Sequence, residues 1–463
     1  MAAPPPGNGR LRKEQVRYLA LEGGGGKGFA FVGAVAALED PLGLLAYARV
    51  PPSPNAKVFK PDWLPASVDQ SRRLTGQIRG VAGASAGAIT ALMLSCGYAA
   101  AEIVDIMDAY DFDRFFEPPD PRMVPKLFLT ARETGDPTGG EVRQAAPPSE
   151  GKGDAVALKA TAVKALIRAL APQLGVTIDA AKLGGAALAM LWNRILRVLP
   201  ELLQIYADLN GITGVKPVKM LLQHLPKYLE YLPEDMGLFP GYQARTFLAE
   251  LLAAKFPSLD GKPNFNVSFQ THFDFFGIKL VVTGTNLETG KSEIFSVDTT
   301  PNFPVADAVR ISMGLPLVFK PLVIRESQIA ATDRSYAGVW VDGGLFNNLP
   351  ITAFDREKKA ADGPDTLGLR LEEDKVQPIE SFGDLLRVWP LGLGIGGTGE
   401  SAISDSWGNT AQTIALDTEG LSLLNFKPDP KLRQGAVDRA RQKTLDYFAG
   451  VIEMRPEKLT VRR

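Results

Sequence analysis

The most restrictive feature of this 463-residue sequence occurs twice near its N-terminus: an apolar strand, a glycine-rich turn and an apolar helix follow one another. The first unit, at 16–40, reads V-R-Y-L-A-L-E, G-G-G-G-K-G and F-A-F-V-G-A-V-A-A-L-E-D. The second, at 77–97, reads Q-I-R-G-V-A, G-A-S-A-G and A-I-T-A-L-M-L-S-C-G. Consecutive units of this type predict a layered α/β fold with a largely parallel sheet. Functional residues are then expected at the carboxyl ends of the strands, where both glycine turns lie.

The second glycine turn has the spacing of a nucleophile elbow. G-A-S-A-G fits the pattern G-x-S-x-G, in which a strained strand-to-helix turn presents a serine, here Ser85. Gly83 and Gly87 would let the strand and the helix approach each other closely. The alternative is a turn of small residues in which Ser85 only caps the helix. The flanking strand and helix favour the nucleophile.

The first glycine turn admits three interpretations. Gly23, Gly25 and Gly28 satisfy the dinucleotide pattern G-x-G-x-x-G, but no acidic residue ends a second strand about 20 positions later. A phosphate-binding loop does not fit, because Gly28 stands where Ser or Thr must reach magnesium. Successive glycines before a helix can instead direct backbone N–H groups at a negatively charged oxygen. We therefore predict an oxyanion hole and no dinucleotide site.

A serine hydroxyl needs a base to become a good nucleophile. His224 lies in an apolar helical pattern without an acidic neighbour, and His272 lies in an aromatic, strand-like stretch, F-Q-T-H-F-D-F-F. A Ser-His-Asp triad through His272 stays open. Asp342 is the preferred base, because it follows the strand G-V-W-V and precedes two glycines that allow close approach. The alternative for Asp342 is a hairpin turn.

The charge balance disfavours one large class of partner. With 51 basic and 52 acidic side chains, the formal net charge of −1 provides no electrostatic footprint for nucleic acid. Any contact with lipid must then depend on apolar surface. The single Cys96 allows no intramolecular disulfide and lies in an apolar run typical of a buried thiol.

The N-terminus lacks the apolar segment of a secretory signal, and no run of about 18 apolar residues predicts a membrane-spanning helix. We expect a cytoplasmic protein that is peripheral to the membrane where it meets lipid. Export that uses no cleavable signal stays open.

The pattern along the chain predicts a tail, one α/β domain and an insert. Residues 1–13 are predicted to be a flexible tail. Strand patterns such as G-I-K-L-V-V-T-G-T-N and K-S-E-I-F-S-V return in the second half, so 14–117 and 246–463 are predicted to form one domain. Between them, 118–245 has a mostly helical pattern and is predicted to be a cap or lid, with a mobile loop at 131–154.

Together, the three turns resemble those of the patatin-like phospholipases, which combine a glycine-rich oxyanion loop, G-x-S-x-G and D-G-[GA] in this order. The sequence has G-G-G-G-K-G, G-A-S-A-G-A-I-T-A-L and V-D-G-G-L-F-N-N-L-P. V-R-I-S-M-G-L-P-L-V-F-K-P-L and I-A-L-D-T-E-G-L-S-L-L-N-F are also similar to family segments. The similarity covers about 15–110 and 265–450, and Glu22 stands where many members have aspartate.

The resemblance implies a three-layer α/β/α sandwich with a largely parallel central sheet, interrupted by the helical cap. It implies Ser85 as nucleophile and Asp342 as base. The implied oxyanion donors are the backbone amides of Gly24, Gly25, Gly26 and Lys27.

The resemblance also implies a lipid acyl hydrolase of the phospholipase A or lysophospholipase type, acting on glycerolipid at a membrane or micelle surface. The family works without a metal or other cofactor. Acyl transfer by the same residues and a catalytically silent lipid-binding protein stay open as alternatives. The unmatched insert leaves the substrate specificity open, and the sequence says nothing about protein partners.

Overall fold

The computed structural model describes residues 10–50, 58–116, 123–125, 140–142, 237–258, 261–325, 336–355, 365–372, 412–421 and 425–450. The strands in these ranges are β1 (Tyr18–Leu21), β2 (Ala46–Arg49), β3 (Arg72–Thr75), β4 (Gly80–Gly83), β5 (Met123–Pro125), β6 (Gly140–Val142), β7 (Gly237–Phe239), β8 (Lys279–Asn286), β9 (Lys291–Phe295), β10 (Leu317–Phe319), β11 (Leu322–Ile324), β12 (Gly338–Asp342), β13 (Thr366–Glu372) and β14 (Thr413–Asp417). The helices are α1 (Ala30–Glu39), α2 (Ala86–Ser95), α3 (Ala100–Ala109), α4 (Tyr242–Ala253), α5 (Phe269–Phe276), α6 (Val305–Ser312) and α7 (Pro430–Ala449). Short 3₁₀ turns lie at Lys13–Gln15, Gly25–Phe29, Phe112–Phe115 and Gly343–Leu345.

The main sheet has the strand order β11–β12–β8–β4–β1–β13–β14, and β9 forms a hairpin with β8. Strands β8, β4, β1, β13 and β14 are parallel, whereas β12 is antiparallel to β8 and β11 is antiparallel to β12. The fold is therefore an α/β sandwich on a mixed, mostly parallel sheet, which confirms the predicted fold class. The two glycine turns follow β1 and β4, which are neighbours in this sheet.

The two faces of the sheet pack against different parts of the chain. Successive side chains of a strand point to opposite faces, so β1 contributes to both. Leu19 and Leu21 of β1 face the large core that the apolar sides of the helices complete. On the other face, Tyr18 stacks on Phe354 with 4.3 Å between the ring centroids. Phe354, in the segment after β12, thus packs on the second face at the amino ends of β1 and β4.

The ends of β4 and β12 meet on one edge of β8. Gly284 pairs with Asp342 of β12 and with Glu293 of β9, so β12 and β9 lie on opposite edges of β8. Val282 pairs with Gly83 of β4 on one edge and with β9 on the other. Strands β4 and β12 therefore share an edge and run toward each other, with their last residues two β8 positions apart, about 7 Å along the strand.

This arrangement corrects one step of the sequence reasoning. Asp342 does end its strand, but the strand is antiparallel to β8, so the rule about carboxyl ends of parallel strands does not place it. Asp342 reaches the end of β4 because β8 continues to Asn286, beyond the residue that pairs with the last residue of β4, and β12 pairs with that extension.

The aromatic stretch around His272 was predicted as a strand and is helix α5. The Ser268 hydroxyl accepts a hydrogen bond from the Thr271 N–H and caps the helix. The buried side chains Phe269, His272 and Phe276 are three and four positions apart, which is the spacing of one helical face. In the sequence, the many aromatic residues of this stretch obscure the helical spacing of its buried side chains.

Most of the predicted insert 118–245, including the loop 131–154, lies outside the described residues, and the division into domains stays a prediction. At the end of that range, β7 pairs with β10, and α4 packs into the main core. The expected tail 1–13 differs at its end, where Leu11 is buried and its N–H donates to the Tyr447 hydroxyl at 2.9 Å. No helix in the described ranges is long and apolar enough to cross a membrane.

Candidate active site

Ser85 stands at the sharp turn between β4 and α2. Its backbone has φ 48° and ψ −120°, and among the described residues it is the one non-glycine with positive φ. Such a conformation costs on the order of 1–3 kcal/mol and persists where the surrounding structure enforces it, often at functional sites. A β-carbon on Gly83 would lie 2.3 Å from the Gly87 carbonyl oxygen, and one on Gly87 would lie 2.3 Å from that of Leu21. The elbow glycines are therefore required by close backbone contacts.

Changing Gly87 to alanine should destabilise the protein by more than about 3 kcal/mol, because the new methyl would collide with backbone that cannot move aside. The matched control is Gly435→Ala in the middle of α7, where only the flexible Arg439 side chain approaches. Alanine there should stabilise by about 0.5–1 kcal/mol. Urea unfolding of the two variants measures both changes, and equal stabilities would contradict the elbow packing.

The Ser85 hydroxyl donates a hydrogen bond to Asp342 Oδ2 at 3.0 Å. The other carboxylate oxygen, Oδ1, accepts the Gly344 N–H at 2.7 Å, so the carboxylate is held at both oxygens. Asp342 is buried, and this burial raises the pKa of its carboxyl from 3.8 to about 7, against the lowering effect of the bonds from Gly344 and Ser85. A carboxylate with a pKa near neutrality accepts a proton far more readily than an ordinary aspartate.

The C-terminal end of α6 holds both members of this pair through their backbones. The Ser85 N–H donates to the Ser312 hydroxyl at 2.9 Å, and the Asp342 N–H donates to the Gly314 carbonyl at 3.0 Å. Ser312 is fully buried. In the sequence, S-M-G lies in a segment similar to those of the patatin-like family, but nothing there predicts a role for Ser312. A buried hydroxyl next to a glycine was the available signal, and it is too common to be specific.

Changing Ser312 to alanine should leave the part-buried Ser85 N–H without its acceptor and cost about 1–2 kcal/mol. The elbow should also lose part of its fixed geometry, so a fluorophosphonate probe should react more slowly with Ser85. Urea unfolding and the labelling rate at equal folded fraction measure the two effects. Unchanged values of both would show that the hydrogen bond from Ser85 to Ser312 has no role.

The first glycine turn forms a 3₁₀ turn over Gly25–Phe29, and Gly25 has φ 50°. None of the described residues accepts a hydrogen bond from the backbone N–H of Gly24, Gly25 or Gly26. The Lys27 N–H differs, because it donates to the Gly24 carbonyl at 3.0 Å. Of the four predicted oxyanion donors, the structure therefore leaves the three glycine amides available and engages that of Lys27.

The glycine turn packs directly against the elbow. A β-carbon on Gly23 would lie 3.0 Å from Ser85 Cβ, and one on Gly28 would lie 2.9 Å from Ala86 Cβ. The structure thus brings the predicted oxyanion loop, Ser85 and Asp342 to one place, and their catalytic roles remain predictions.

His272 is not part of this constellation. It is fully buried, and its Nε2 lies 3.0 Å from the hydroxyl of Ser95, at the opposite end of α2 from Ser85. Burial lowers the pKa of His272 to about 3, so the imidazole is neutral. Cys96 lies beside it, and burial raises the pKa of its thiol to about 12. His224 lies outside the described residues.

In the ranges that the structure describes, no group of three or more His, Cys, Asp or Glu side chains could hold a metal ion. Two carboxyl groups near the elbow have raised pKa values: burial raises that of Asp342 to about 7, and burial of Glu22, behind the glycine turn, raises its pKa from 4.5 to about 7.

Residues 19–355 match the patatin-like phospholipase family, and the chain belongs to that family.

Two curated relatives match shorter stretches. The chain is 28% identical over 86 residues to the probable lipid hydrolase 463L of Invertebrate iridescent virus 6, which is 19% of this chain and 26% of that protein. It is 29% identical over 165 residues to the uncharacterized protein YqhO of Bacillus subtilis (strain 168), which is 34% of this chain and 50% of that protein. The chain thus spans half or less of the length of either relative.

Two solved structures align over most of this chain at low identity. VipD from Legionella pneumophila aligns with 94% of this chain and 67% of its own, with a TM-score of 0.40 and 17% identity. ExoU from the type III secretion system of Pseudomonas aeruginosa, in complex with SpcU, aligns with 95% of this chain and 53% of its own, with a TM-score of 0.33 and 16% identity.

Proposed function

We propose that this protein is a serine lipid acyl hydrolase, of the phospholipase A or lysophospholipase type, that cleaves fatty acyl esters of glycerolipids. The observation that carries the proposal is the 3.0 Å hydrogen bond from the strained Ser85 to the buried Asp342. Membership of the patatin-like phospholipase family and the name of the viral relative support lipid as the substrate class.

In the proposed mechanism, Ser85 Oγ attacks the ester carbonyl carbon while Asp342 takes the hydroxyl proton. The N–H groups of Gly24, Gly25 and Gly26 donate to the oxyanion of the tetrahedral intermediate. Protonated Asp342 then gives its proton to the leaving alkoxide. A diacyl lipid thereby releases a lysolipid, and a lysolipid releases its deacylated glycerol backbone. The acyl group remains on Ser85.

The second half repeats these roles with water. Asp342 removes a proton from a water molecule, which attacks the acyl-enzyme carbonyl, and the fatty acid leaves as Ser85 recovers its proton from Asp342. No metal or cofactor is needed for this sequence of steps. With a formal net charge of −1, the protein would meet the lipid surface as a peripheral protein through apolar contacts rather than through charge.

The proposal is tested by fatty acid release from phosphatidylcholine vesicles and from lysophosphatidylcholine micelles, with Ser85→Ala as the background control. Release by wild type alone supports hydrolysis. Parallel reactions contain added short-chain alcohol or lysolipid, and new ester in place of free acid would identify an acyltransferase. Vesicle binding without any acyl product or probe labelling would contradict the proposal and identify a silent lipid-binding protein.

A further inference from the structure

Asn348 binds both backbone polar groups of Gly23, the first residue of the glycine turn. The Gly23 N–H donates to the Asn348 backbone carbonyl at 3.0 Å, and Asn348 Nδ2 donates back to the Gly23 carbonyl at 3.1 Å. Gly23 directly precedes the three glycines whose amides are the proposed oxyanion donors. One residue therefore fixes the position from which that loop departs.

The orientation of the Asn348 amide is determined by its neighbours. Nδ2 also donates to Glu22 Oε1 at 3.2 Å, and Glu22 Oε2 accepts the Leu371 N–H at 2.6 Å. Both neighbours of Nδ2 are acceptors, so the amide nitrogen rather than the oxygen must face them. Asn348 is 7% exposed, so water cannot easily replace these bonds.

The same side chain connects the first motif with the third. A β-carbon on Gly23 would lie 2.3 Å from Asn348 Oδ1, and one on Gly344 would lie 2.4 Å from it. Glycine at these two positions therefore leaves the space that the Asn348 side chain occupies between them. The Gly344 N–H in turn binds Asp342 Oδ1. Asn348 thus contacts the glycine turn on one side and the turn that orients the base on the other.

We propose that Asn348 is a positioning residue, which locks the glycine turn against the Asp-Gly-Gly turn and so fixes the loop amides relative to Ser85. The inference rests on the proposed function, since a loop held in this way affects turnover only if its amides stabilise an oxyanion. The Asn348 side chain does not touch substrate in this scheme and acts through Gly23.

The test compares Asn348→Asp and Asn348→Ala with Asn347→Asp and Asn347→Ala. Asparagine 347 is the adjacent, half-buried residue of the same type, and no described residue pairs with its side chain. Aspartate at 348 keeps the shape but turns a carboxylate oxygen toward the Glu22 and Gly23 oxygens, at about the distances of the present bonds. Thermal unfolding identifies the folded variants, and the near-isosteric aspartate serves if alanine does not fold.

The first readout is hydrogen exchange at the hydrogen-bonded amides of the turn, those of Gly23 and Lys27, which needs no activity. Exchange there should quicken by about tenfold or more in the 348 variants and stay unchanged in the 347 variants. The second readout is kinetic. In the 348 variants kcat should fall by about 10²-fold while KM stays within about twofold, because the affected contacts exist only in the transition state.

Unchanged exchange in folded 348 variants overturns the proposal, whatever the activity. Faster exchange with an unchanged kcat in an active enzyme overturns it as well. If wild type hydrolyses no acyl ester, the proposed function fails, and with it the expected effect of Asn348 on turnover. Exchange alone then decides whether Asn348 holds the loop.

Discussion

Changing Ser85 to alanine should abolish labelling by a fluorophosphonate probe and reduce kcat by on the order of 10⁴–10⁶-fold. The hydroxyl is the nucleophile in the proposed mechanism, and it donates its proton directly to the proposed base, Asp342. What remains would come from water attacking an ester that the oxyanion donors still polarise. Probe labelling followed by intact-mass measurement gives the stoichiometry directly, with one probe per wild-type chain expected.

Two variants separate the chemistry from the strain at this position. Ser85→Gly removes the same hydroxyl but relieves the positive φ, so it should be as inactive as the alanine variant and more stable by about 1 kcal/mol. Ser95→Ala removes a buried hydroxyl from the other end of α2 and should leave probe labelling of the folded protein within about twofold. Full labelling of Ser85→Ala would show that the probe reacts elsewhere and would contradict Ser85 as the nucleophile.

Changing Asp342 to asparagine should slow probe labelling and turnover by on the order of 10⁴-fold. Asparagine can keep the bond from the Gly344 N–H to Oδ1, but it presents an amide where Asp342 accepts the Ser85 proton. In wild type, activity should rise as the pH passes through about 7, since burial raises the pKa of Asp342 to that value and the base must be ionised. A pH profile of kcat/KM from pH 5 to pH 9 measures this limb.

Glu22 supplies the control for the pH profile, because burial also raises its pKa to about 7. Glu22→Gln removes that second titration and keeps the side-chain shape. If the limb belongs to Asp342, it should persist in Glu22→Gln and disappear in Asp342→Asn. The opposite result would assign the ionisation to Glu22.

The stability of Asp342→Asn should change in the opposite direction to its activity. The pKa of Asp342 is raised in the folded state, so its contribution to stability is complete below about pH 4 and is lost as the pH rises through about 7. The asparagine variant has no such loss and should be more stable than wild type at pH 8, by on the order of a few kcal/mol. Urea unfolding at pH 5 and pH 8 tests the sign. A variant less stable than wild type at pH 8 would indicate that Asp342 gains more from its bonds than it loses by burial.

The α/β class, the two glycine turns and the strands β8, β9 and β12 were readable from local patterns. Each depends on residues close together in the sequence, such as the apolar run before G-A-S-A-G or the alternation in K-S-E-I-F. The strand predicted around His272 was wrong, because its aromatic residues satisfy both a strand composition and the spacing of a buried helical face.

The catalytic candidates Ser85 and Asp342 were chosen from the sequence because each stands in a short, glycine-containing motif. Their proximity could not be derived in the same way. It depends on β4 and β12 sharing one edge of β8, and the direction of β12 is set by pairing with residues more than fifty positions away.

The sequence by itself indicated the candidate nucleophile, the candidate base and the glycine loop, since each of these is recognised from a short segment. Only the tertiary structure decided how they are held. Ser312 and Asn348 are an ordinary serine and an ordinary asparagine in the sequence, and they form hydrogen bonds with Ser85 and Gly23 because folding buries them there. The physical reason is that a hydrogen bond between distant segments, and the burial that raises the pKa of Asp342, exist only after the chain has packed.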